Sequence, residues 1–221
     1  MEELRKFYNN FQIESFRKNE VIFIEGIEPS CAYAVKSGVV RLHTDTENNE
    51  ERINSFAAQD ELIPISWLFD KTPMTLFCYT AHTDCQLFKI QKDVFRSMIV
   101  NNSELTSILL EHVVNDYVIK SLQIRALEQP RVFTKLLLTL DSLSLRYGNK
   151  ILSDMVRINI PLTQRDLAAL TGASRETVAT ELSKLKKDDI ITCRRKLYTV
   201  NVVKLRKLIE YEGSPSVTIQ P

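Results

Sequence analysis

The chain has 221 residues, of which 44% are hydrophobic, and a formal net charge of +1 at pH 7. This length allows one large or two modest cores, and no apolar run approaches the roughly 20 residues of a membrane-spanning helix. The N-terminal residues MEELRKFYNNF lack the apolar segment of a signal peptide, so we expect a cytoplasmic protein with no membrane partner. The four cysteines are scattered without CxxC spacing, which excludes an encoded disulfide framework or zinc site.

Residues 20–90 consist of short apolar stretches separated by turn residues. These stretches are VIFIEG, CAYAVKSG, VVRLHT, RINSFA, ELIPISWLF, LFCYTA and CQLFKI. A spacing of about ten residues, with Gly26 and Gly38 in turns, predicts an antiparallel β-sandwich or barrel, and we favour a jelly roll over βαβ units. Such a domain can hold a metal, but His43 and His82 each stand without a paired histidine, so no metal site is predicted.

The pattern becomes helical after residue 91, with a short helix over 92–99 and a long one over 103–127 that Pro130 ends. Apolar residues follow a heptad-like spacing along the long helix, with His112 and Asn115 in the same seam. We predict that one face meets the β-domain and the other a second copy; a core helix in a monomer is the alternative. The predicted dimer contacts are Leu105, Ile108, Leu109, His112, Ile119 and Leu122.

The segment TQRDLAALTGASRETVATELSKLKK, residues 163–187, predicts two short helices joined by a tight turn. Thr163 and Asp166 have the spacing of a capping box, and Gly172 ends the first helix. Ser174 caps a second helix, whose apolar positions recur at intervals of three and four residues. Arg175 and Glu176 then lie on its polar side, where an Arg can bond guanine and a Glu can accept from cytosine. We interpret the segment as a helix-turn-helix for duplex DNA; two ordinary core helices are the alternative.

Two β-rich stretches, 190–193 and 197–200, flank Arg194, Arg195 and Lys196. They predict a hairpin with a basic tip, a wing able to lie along phosphates. Residues 161–207 hold eleven Lys and Arg against five Asp and Glu, so a nearly neutral chain contains a basic module.

With a β-barrel, a long helix and a winged helix in this order, the chain resembles the CRP/FNR family of bacterial transcription regulators over nearly its full length. VIFIEGIEPSCAYAVKSGVVRLHT is similar to the family's opening β-roll strands, and LAALTGASRETVATELSKLKKDDII to its helix-turn-helix. The resemblance implies a homodimer paired through the long helix. It also implies that the two recognition helices enter successive major grooves of a roughly palindromic site, about one helical turn apart.

The resemblance further implies that Arg175 and Glu176 read bases, and that Thr163 and Ser174 touch phosphates. Thr180 stands where the family often has a second base-reading Arg, so we expect a half-site different from, or less strictly read than, the family's TGTGA-like sequence. The full set of predicted DNA contacts is Thr163, Gln164, Arg165, Ser174, Arg175, Glu176, Thr177, Thr180, Lys184, Arg194, Arg195 and Lys196.

Cyclic-nucleotide-binding members grip the ribose with a Gly-Glu pair and the cyclic phosphate with an Arg-Ser pair. Our alignment puts Ile63 and Pro64 at the first pair and Met74 and Thr75 at the second, so cyclic AMP is not expected. The first thirty residues contain no Cys, which excludes the iron-sulfur centre of the oxygen-sensing branch, and no cofactor is predicted.

The effector question stays open between an unidentified small molecule, no effector at all, and a redox response through a thiol such as Cys31 or Cys193. Haem ligation through His43, His82 or His112 also stays open, although no sequence feature supports it. We expect Trp67, Phe69 and Phe77 to fill the barrel space that a nucleotide would otherwise occupy.

Two other classes of protein, an enzyme and an RNA-binding protein, fit the sequence less well. A cupin-like enzyme needs two histidines and a carboxylate, but His43 and His82 with Glu47 or Asp84 do not have a cupin spacing. RNA binding lacks an aromatic stacking platform. We therefore predict an α+β transcription regulator, not an enzyme, with RNA polymerase as a partner if it activates. The predicted domains are 1–102, a β-roll; 103–128, a dimerisation helix; 129–212, a winged helix-turn-helix; and 213–221, a disordered tail.

Overall fold

A computed structural model of the protein describes residues 2–48 and 50–215. It divides into two compact units between Val113 and Val114, inside the long helix. None of its described helices is long and apolar enough to cross a membrane. The division of the chain at residues 102, 128 and 212 stays a prediction.

The N-terminal unit begins with helix α1, Glu2–Tyr8, and continues as the predicted antiparallel β-roll. The strands in its described residues are β1 Ile13–Phe16, β2 Val21–Phe23, β3 Ala32–Ser37, β4 Val40–Asp45, β5 Glu51–Ala57, β6 Leu62–Ile63, β7 Cys78–Ala81 and β8 Cys85–Ile90. They form two four-stranded sheets, in the orders β1-β8-β3-β6 and β2-β7-β4-β5. At the turn between β3 and β4, Gly38 has a φ of 89°, and a Cβ there would lie 2.3 Å from the Asp84 carbonyl oxygen.

Side chains alternate between two cores because successive residues of a strand point to opposite faces. On β3, Tyr33 and Val35 belong to one core, and Ala32 and Ala34 to the other. The first core fills the space between the sheets with aromatic rings, including Phe23, whose centroid lies 5.5 Å from that of Tyr33.

The expectation that three aromatic residues fill the roll is confirmed for one of them. Phe77 packs against the core between the sheets. Trp67 is instead buried in the second core, and Phe69 stays 37% exposed. The reason is that the stretch ELIPISWLF, predicted as a strand, leaves the sheet after Ile63 and forms helix α2, Ile65–Leu68, outside the roll.

The second core lies under helices α3, Lys92–Val100, and α4, Ser103–Leu127. Phe95 of α3 and Leu105 and Leu109 of α4 are buried in it, together with residues of α1 and of β8. The bounds of α4 agree with the sequence prediction.

The C-terminal unit contains the remaining elements, which are α5 Val132–Tyr147, β9 Gly148–Lys150, β10 Met155–Ile158, α6 Gln164–Thr171, α7 Arg175–Lys187, β11 Ile191–Arg194, β12 Leu197–Asn201 and α8 Val202–Tyr211. The strands form one antiparallel sheet in the order β11-β12-β10-β9. Helix α5 is apolar along much of its length and contacts α6, α7 and α8. It therefore forms the centre of this unit's core.

The sequence analysis did not predict α1, β1, α5, β9, β10 or α8. The predicted disordered tail begins within the described residues, where Ser214 is buried and the Pro215 carbonyl accepts a 2.6 Å hydrogen bond from Arg125. Residues 216–221, the rest of that tail, lie outside the described residues.

Candidate nucleic-acid interface

The turn between α6 and α7 is fixed by local hydrogen bonds. The Thr163 amide donates to Asp166 Oδ2 at 2.6 Å, and the Asp166 amide donates to Thr163 Oγ1 at 3.2 Å, which confirms the predicted capping box. Gly172 ends α6 with a φ of 65°, in the left-handed region that glycine adopts without a Cβ clash. Ser174 Oγ then accepts from the Thr177 amide at 3.2 Å and begins α7. The helix-turn-helix geometry thus follows directly from three side chains and one glycine.

The buried side of α7 determines which residues it presents outward. Val178, Leu182 and Leu185 have no exposed surface. With 3.6 residues per turn, the opposite side of the helix is a polar stripe. The residues of this stripe, all exposed, are Glu176, Thr180, Ser183 and Lys187.

Strands β11 and β12 form the predicted wing. Arg194 pairs with Leu197, so the turn consists of Arg195 and Lys196, with φ values of 51° and 66°. A two-residue turn with two positive φ values favours Asn-Gly, and charged residues occupy it here at a conformational cost. The Leu162 amide donates to the Lys196 carbonyl at 2.8 Å and holds the wing tip against the segment before α6.

A groove of 510 Å³ lies between the start of α6, the side of α7 and the wing. We call it the wing groove. Its lining residues are Leu162, Thr163, Gln164, Arg165, Arg175, Lys186, Cys193, Lys196 and Tyr198. Four of these are cations, and none of the described residues that line it is acidic. A concave cationic surface of this kind attracts phosphate.

Tyr198 contributes a neutral group to the wing groove. Burial raises the pKa of its hydroxyl, and the neighbouring Cys193 raises it further. The hydroxyl therefore stays protonated and adds no negative charge beside the cations. Cys193 itself is exposed, whereas Cys31 and Cys85 are buried.

The structure brings together five of the predicted DNA contacts in the wing groove, namely Thr163, Gln164, Arg165, Arg175 and Lys196. Glu176 and Thr180 lie on the polar stripe of α7, and Arg194 and Arg195 are exposed on the wing. Two hydroxyl groups of the predicted set already donate hydrogen bonds within the protein. The Thr163 hydroxyl donates to the Asp166 carboxylate at 2.6 Å, and the Thr180 hydroxyl donates to the Glu176 carbonyl at 3.0 Å.

Lys184 lies apart from the groove and the stripe. Its ammonium is 2.9 Å from Glu181 Oε1 and 5.9 Å from the centre of the Phe133 ring. Sequence reasoning missed Lys186, which lines the groove, and Ser183 and Lys187, which lie on the stripe. The helical period counted from Glu176 is the signal that identifies the last two.

Three of the six predicted dimer contacts on α4, which are Leu105, Leu109 and Ile119, are buried within the single chain, and Leu105 and Leu109 pack in the N-terminal core. The other three, Ile108, His112 and Leu122, are partly buried. The six residues stay predicted contacts. A different row of apolar side chains is exposed on α4, which we call the α4 stripe: Leu110, Val113, Val114, Tyr117, Ile124 and Leu127.

Two family models match the chain in the same order as its two units. Residues 13–102 match the cyclic nucleotide-binding domain, and residues 131–211 match the Crp-like helix-turn-helix domain. The two matches together span most of the sequence.

Full-length relatives and a solved structure agree with this arrangement. The chain is 24% identical over 206 residues to the anaerobic regulatory protein of Pasteurella multocida, covering 92% of this chain and 73% of the relative. It is 23% identical over 190 residues to the global nitrogen regulator of Synechococcus elongatus, covering 86% of this chain and 85% of the relative. The structure of FixK2 from Bradyrhizobium japonicum superposes with a TM-score of 0.74 at 16% identity, covering 95% of this chain and 99% of that one, which is a likeness of fold.

Proposed function

The chain belongs to the CRP/FNR family of transcription regulators, with a helix-turn-helix DNA-binding domain, and from this premise we propose that it acts as a homodimer that binds a two-fold symmetric DNA site without cyclic AMP. The observation that carries the proposal is the exposed polar stripe of α7 next to the cationic wing groove. An α-helix fits the major groove with its polar face toward the bases, and the flanking cations can then bind the phosphates on the edge of the groove.

Within this proposal, Arg175 and Glu176 read base edges from the N-terminal end of α7. Arg175 is the first residue of the helix and is exposed, and Glu176 is the first residue of the stripe. Lys186 and Lys196 bind phosphates, which positions the helix without adding sequence information. Thr180 offers a short hydroxyl in place of a long cation, so we expect looser reading at its base pair.

Dimerisation supplies the two-fold symmetry. The α4 stripe follows a spacing of three, four and seven residues, which is the spacing of a helix-to-helix contact. Exposed aliphatic and aromatic side chains in such a row are stabilised when a second copy covers them. Two recognition helices related by a two-fold axis then contact half-sites about 34–36 Å apart.

Independence from cyclic AMP is supported by the region aligned with the nucleotide cassette. Thr75 is buried, its amide donates to the Ile27 carbonyl at 3.1 Å, and its hydroxyl donates to the Ile24 carbonyl at 2.5 Å. Its hydroxyl is thus engaged by a neighbouring loop, and Met74, aligned with the family's Arg, offers no cation to a cyclic phosphate. Aromatic side chains also pack the core between the sheets, which supports the proposal that no nucleotide base is held there.

The remaining partners follow from the regulator role. We propose that an activating form of the protein contacts RNA polymerase, and that the protein works in the cytoplasm, where bacterial DNA lies.

No catalytic activity is proposed. His43 is buried against Thr80, with 3.0 Å between Nε2 and Oγ1, and the centre of the His82 ring lies 5.0 Å from that of the Phe56 ring.

Selection of bound sequences from a random duplex library tests the proposal. We expect purified protein without added ligand to enrich a two-fold symmetric motif with half-sites about one helical turn apart. Addition of cyclic AMP is expected to leave both the motif and the affinity unchanged. Failure to enrich any sequence without ligand would contradict the proposal, as would an enrichment that appears only with cyclic AMP.

The wing turn provides a prediction in which stability and DNA affinity change in opposite directions. Replacing Arg195 by Asn and Lys196 by Gly supplies residues that adopt positive φ readily, so we expect the free energy of unfolding to rise by about 1 kcal/mol. Loss of two cations is expected to weaken DNA binding. The slope of log K against log salt concentration should become less negative by up to about 3.6, because the homodimer loses four cations and each phosphate contact contributes about 0.9. Denaturant unfolding and a salt titration of DNA affinity measure the two effects.

Lys207→Gln is the matched control for this variant. Lys207 is exposed on α8 and is not among the residues that line the wing groove. Its loss should leave the salt slope nearly unchanged. A double wing variant with the wild-type slope would show that the wing tip does not contact phosphates.

A further inference from the structure

The last described residues of the chain turn back from α8 toward the junction between α4 and α5. Gly213 has a φ of 81°, in the left-handed region that glycine adopts readily, and it reverses the chain after α8. The Ser214 amide donates to the Ile209 carbonyl at 3.1 Å, and Ser214 is buried. Residues 212–215 are therefore fixed against the C-terminal unit. We call them the strap.

The strap contacts the elements on both sides of the junction. On α4, Arg125 Nη2 donates to the Pro215 carbonyl at 2.6 Å. At the start of α5, Glu212 Oε2 accepts hydrogen bonds from Arg131 Nη1 at 3.2 Å and from Thr134 Oγ1 at 3.4 Å. The short segment between the two helices is thus bridged by a part of the chain that lies 81 residues beyond it.

Arg125 also belongs to a charge cluster at the junction. Asp141 of α5 is buried, and Arg206 Nε of α8 donates to its Oδ1 at 3.1 Å. Burial raises the pKa of the Asp141 carboxyl, and the positive charges of Arg206 and Arg125 oppose that rise. Arg125, Asp141 and Pro215 line one space of about 10 Å³, which is no larger than a single water needs. The strap, α4, α5 and α8 therefore meet in one closely packed group of polar contacts.

Side-chain contacts of this kind decide how α4 is oriented relative to the helix-turn-helix. Helix α5 packs closely on α6, α7 and α8, whereas its backbone approaches that of α4 at few positions. At the far end of α5, Arg146 Nη2 lies 2.5 Å from Asp116 Oδ1. A single contact point leaves two helices free to pivot about it, because a few residues between helices can absorb the change in backbone angles. The strap adds a second contact point, at the junction, and removes this freedom.

We propose that the strap fixes the angle between α4 and the recognition helix α7, and thereby sets the half-site spacing that the dimer accepts. The inference rests on the proposed function, in which the α4 stripe forms the dimer contact and α7 reads the bases. Pre-organisation raises affinity because less freedom is lost on binding, and it restricts binding to sites whose spacing matches the fixed geometry. Residues 212–215 then determine specificity without contacting a base.

The double variant Arg125→Met and Glu212→Ala removes the side chains that connect the strap to both helices and leaves the net charge unchanged. We expect its affinity for the selected symmetric duplex to fall about tenfold and its affinity for a single half-site to stay the same, because only the linkage between the two sites is loosened. Duplexes with the half-sites one base pair closer or further apart should bind the variant nearly as well as the selected duplex does.

Two further variants separate the strap from a general effect of substitution. Arg125→Lys keeps a donor for the Pro215 carbonyl and should retain the wild-type spacing preference. Glu111→Ala with Lys207→Met makes the same change in charge at exposed positions of α4 and α8. This pair makes no contact with the strap in the structure and should also behave as the wild type.

A measurement without DNA tests the fixed angle directly. Nitroxide labels at Ser121→Cys on α4 and Ser183→Cys on α7 report the distance between the helices by pulsed electron paramagnetic resonance; both positions are exposed. Cys78 and Cys193, the thiols that are not buried, are first replaced by serine, and labelled chains are mixed with an excess of unlabelled ones. We expect a narrow distance distribution for the wild-type strap and a wider one for the double variant.

Three results would overturn the proposal. They are a double variant with the same narrow distance distribution, a double variant with the wild-type spacing preference, and an equal loss of affinity for the half-site and the symmetric duplex. The last result would mean that the helix-turn-helix itself is damaged. A wild-type protein that does not prefer a symmetric site would contradict the proposed function instead, and the distance distribution would still decide whether the strap fixes α4 relative to α7.

Discussion

Arg175→Ala is expected to weaken binding to the selected DNA site by about 30-fold or more, while binding to random duplex falls only slightly. A bidentate Arg–guanine pair is worth about 1–3 kcal/mol, and a homodimer loses two of them at a palindromic site. Arg175 is exposed at the start of α7, with no carboxylate among the residues that line the groove beside it. Its guanidinium is thus available to a base edge. Fluorescence anisotropy with the selected duplex and a scrambled duplex, at one salt concentration, measures both affinities.

Lys186→Ala is the matched control, because Lys186 lines the same wing groove but is proposed to contact phosphate. Its loss from both subunits should lower the two affinities by similar factors and make the salt slope less negative by about 1.8. If Arg175→Ala also lowers both affinities equally, Arg175 is a phosphate contact. Glu176 would then be the remaining candidate for base reading at this end of α7.

The helix-turn-helix was predictable to the residue because its determinants are local. The capping box of Thr163 and Asp166, the left-handed Gly172 and the Ser174 cap act within four positions along the chain. The same holds for the long helix α4, whose bounds follow from an uninterrupted helical pattern. Local interactions of this kind can be predicted from the sequence without knowledge of the tertiary contacts between helices and strands.

Which side of a helix or strand is buried was less predictable, because burial depends on residues that are distant in the sequence. Helix α4 is apolar on more than one side, and only the core of the N-terminal unit shows that Leu105 and Leu109 face inward. Trp67 was misplaced for the same reason: the pattern of ELIPISWLF is apolar whether it forms a strand or a helix. Neither the wing groove nor the position of Lys186 in it follows from spacing, since three separate elements form it.

The α4 stripe is the part of the proposal on which the two-fold symmetry depends. Tyr117 is 72% exposed and Ile124 is 59% exposed, so neither supports the core of the monomer. The double variant Tyr117→Lys and Ile124→Lys is therefore expected to fold normally. It places like charges where two copies meet, and the desolvation of these charges disfavours the dimer.

We expect this variant to sediment as a monomer and to bind the palindromic site about 100- to 10,000-fold more weakly, because each half-site is then bound without the avidity of linked sites. Glu111→Gln with Asn115→Lys changes the net charge by the same amount at exposed positions of α4 that lie off the stripe, and it should remain dimeric. Analytical ultracentrifugation and DNA titration distinguish the two variants. A stripe variant that stays dimeric would place the interface elsewhere on the chain. A monomeric variant with unchanged affinity would mean that one copy recognises the site alone, which conflicts with a two-fold symmetric motif.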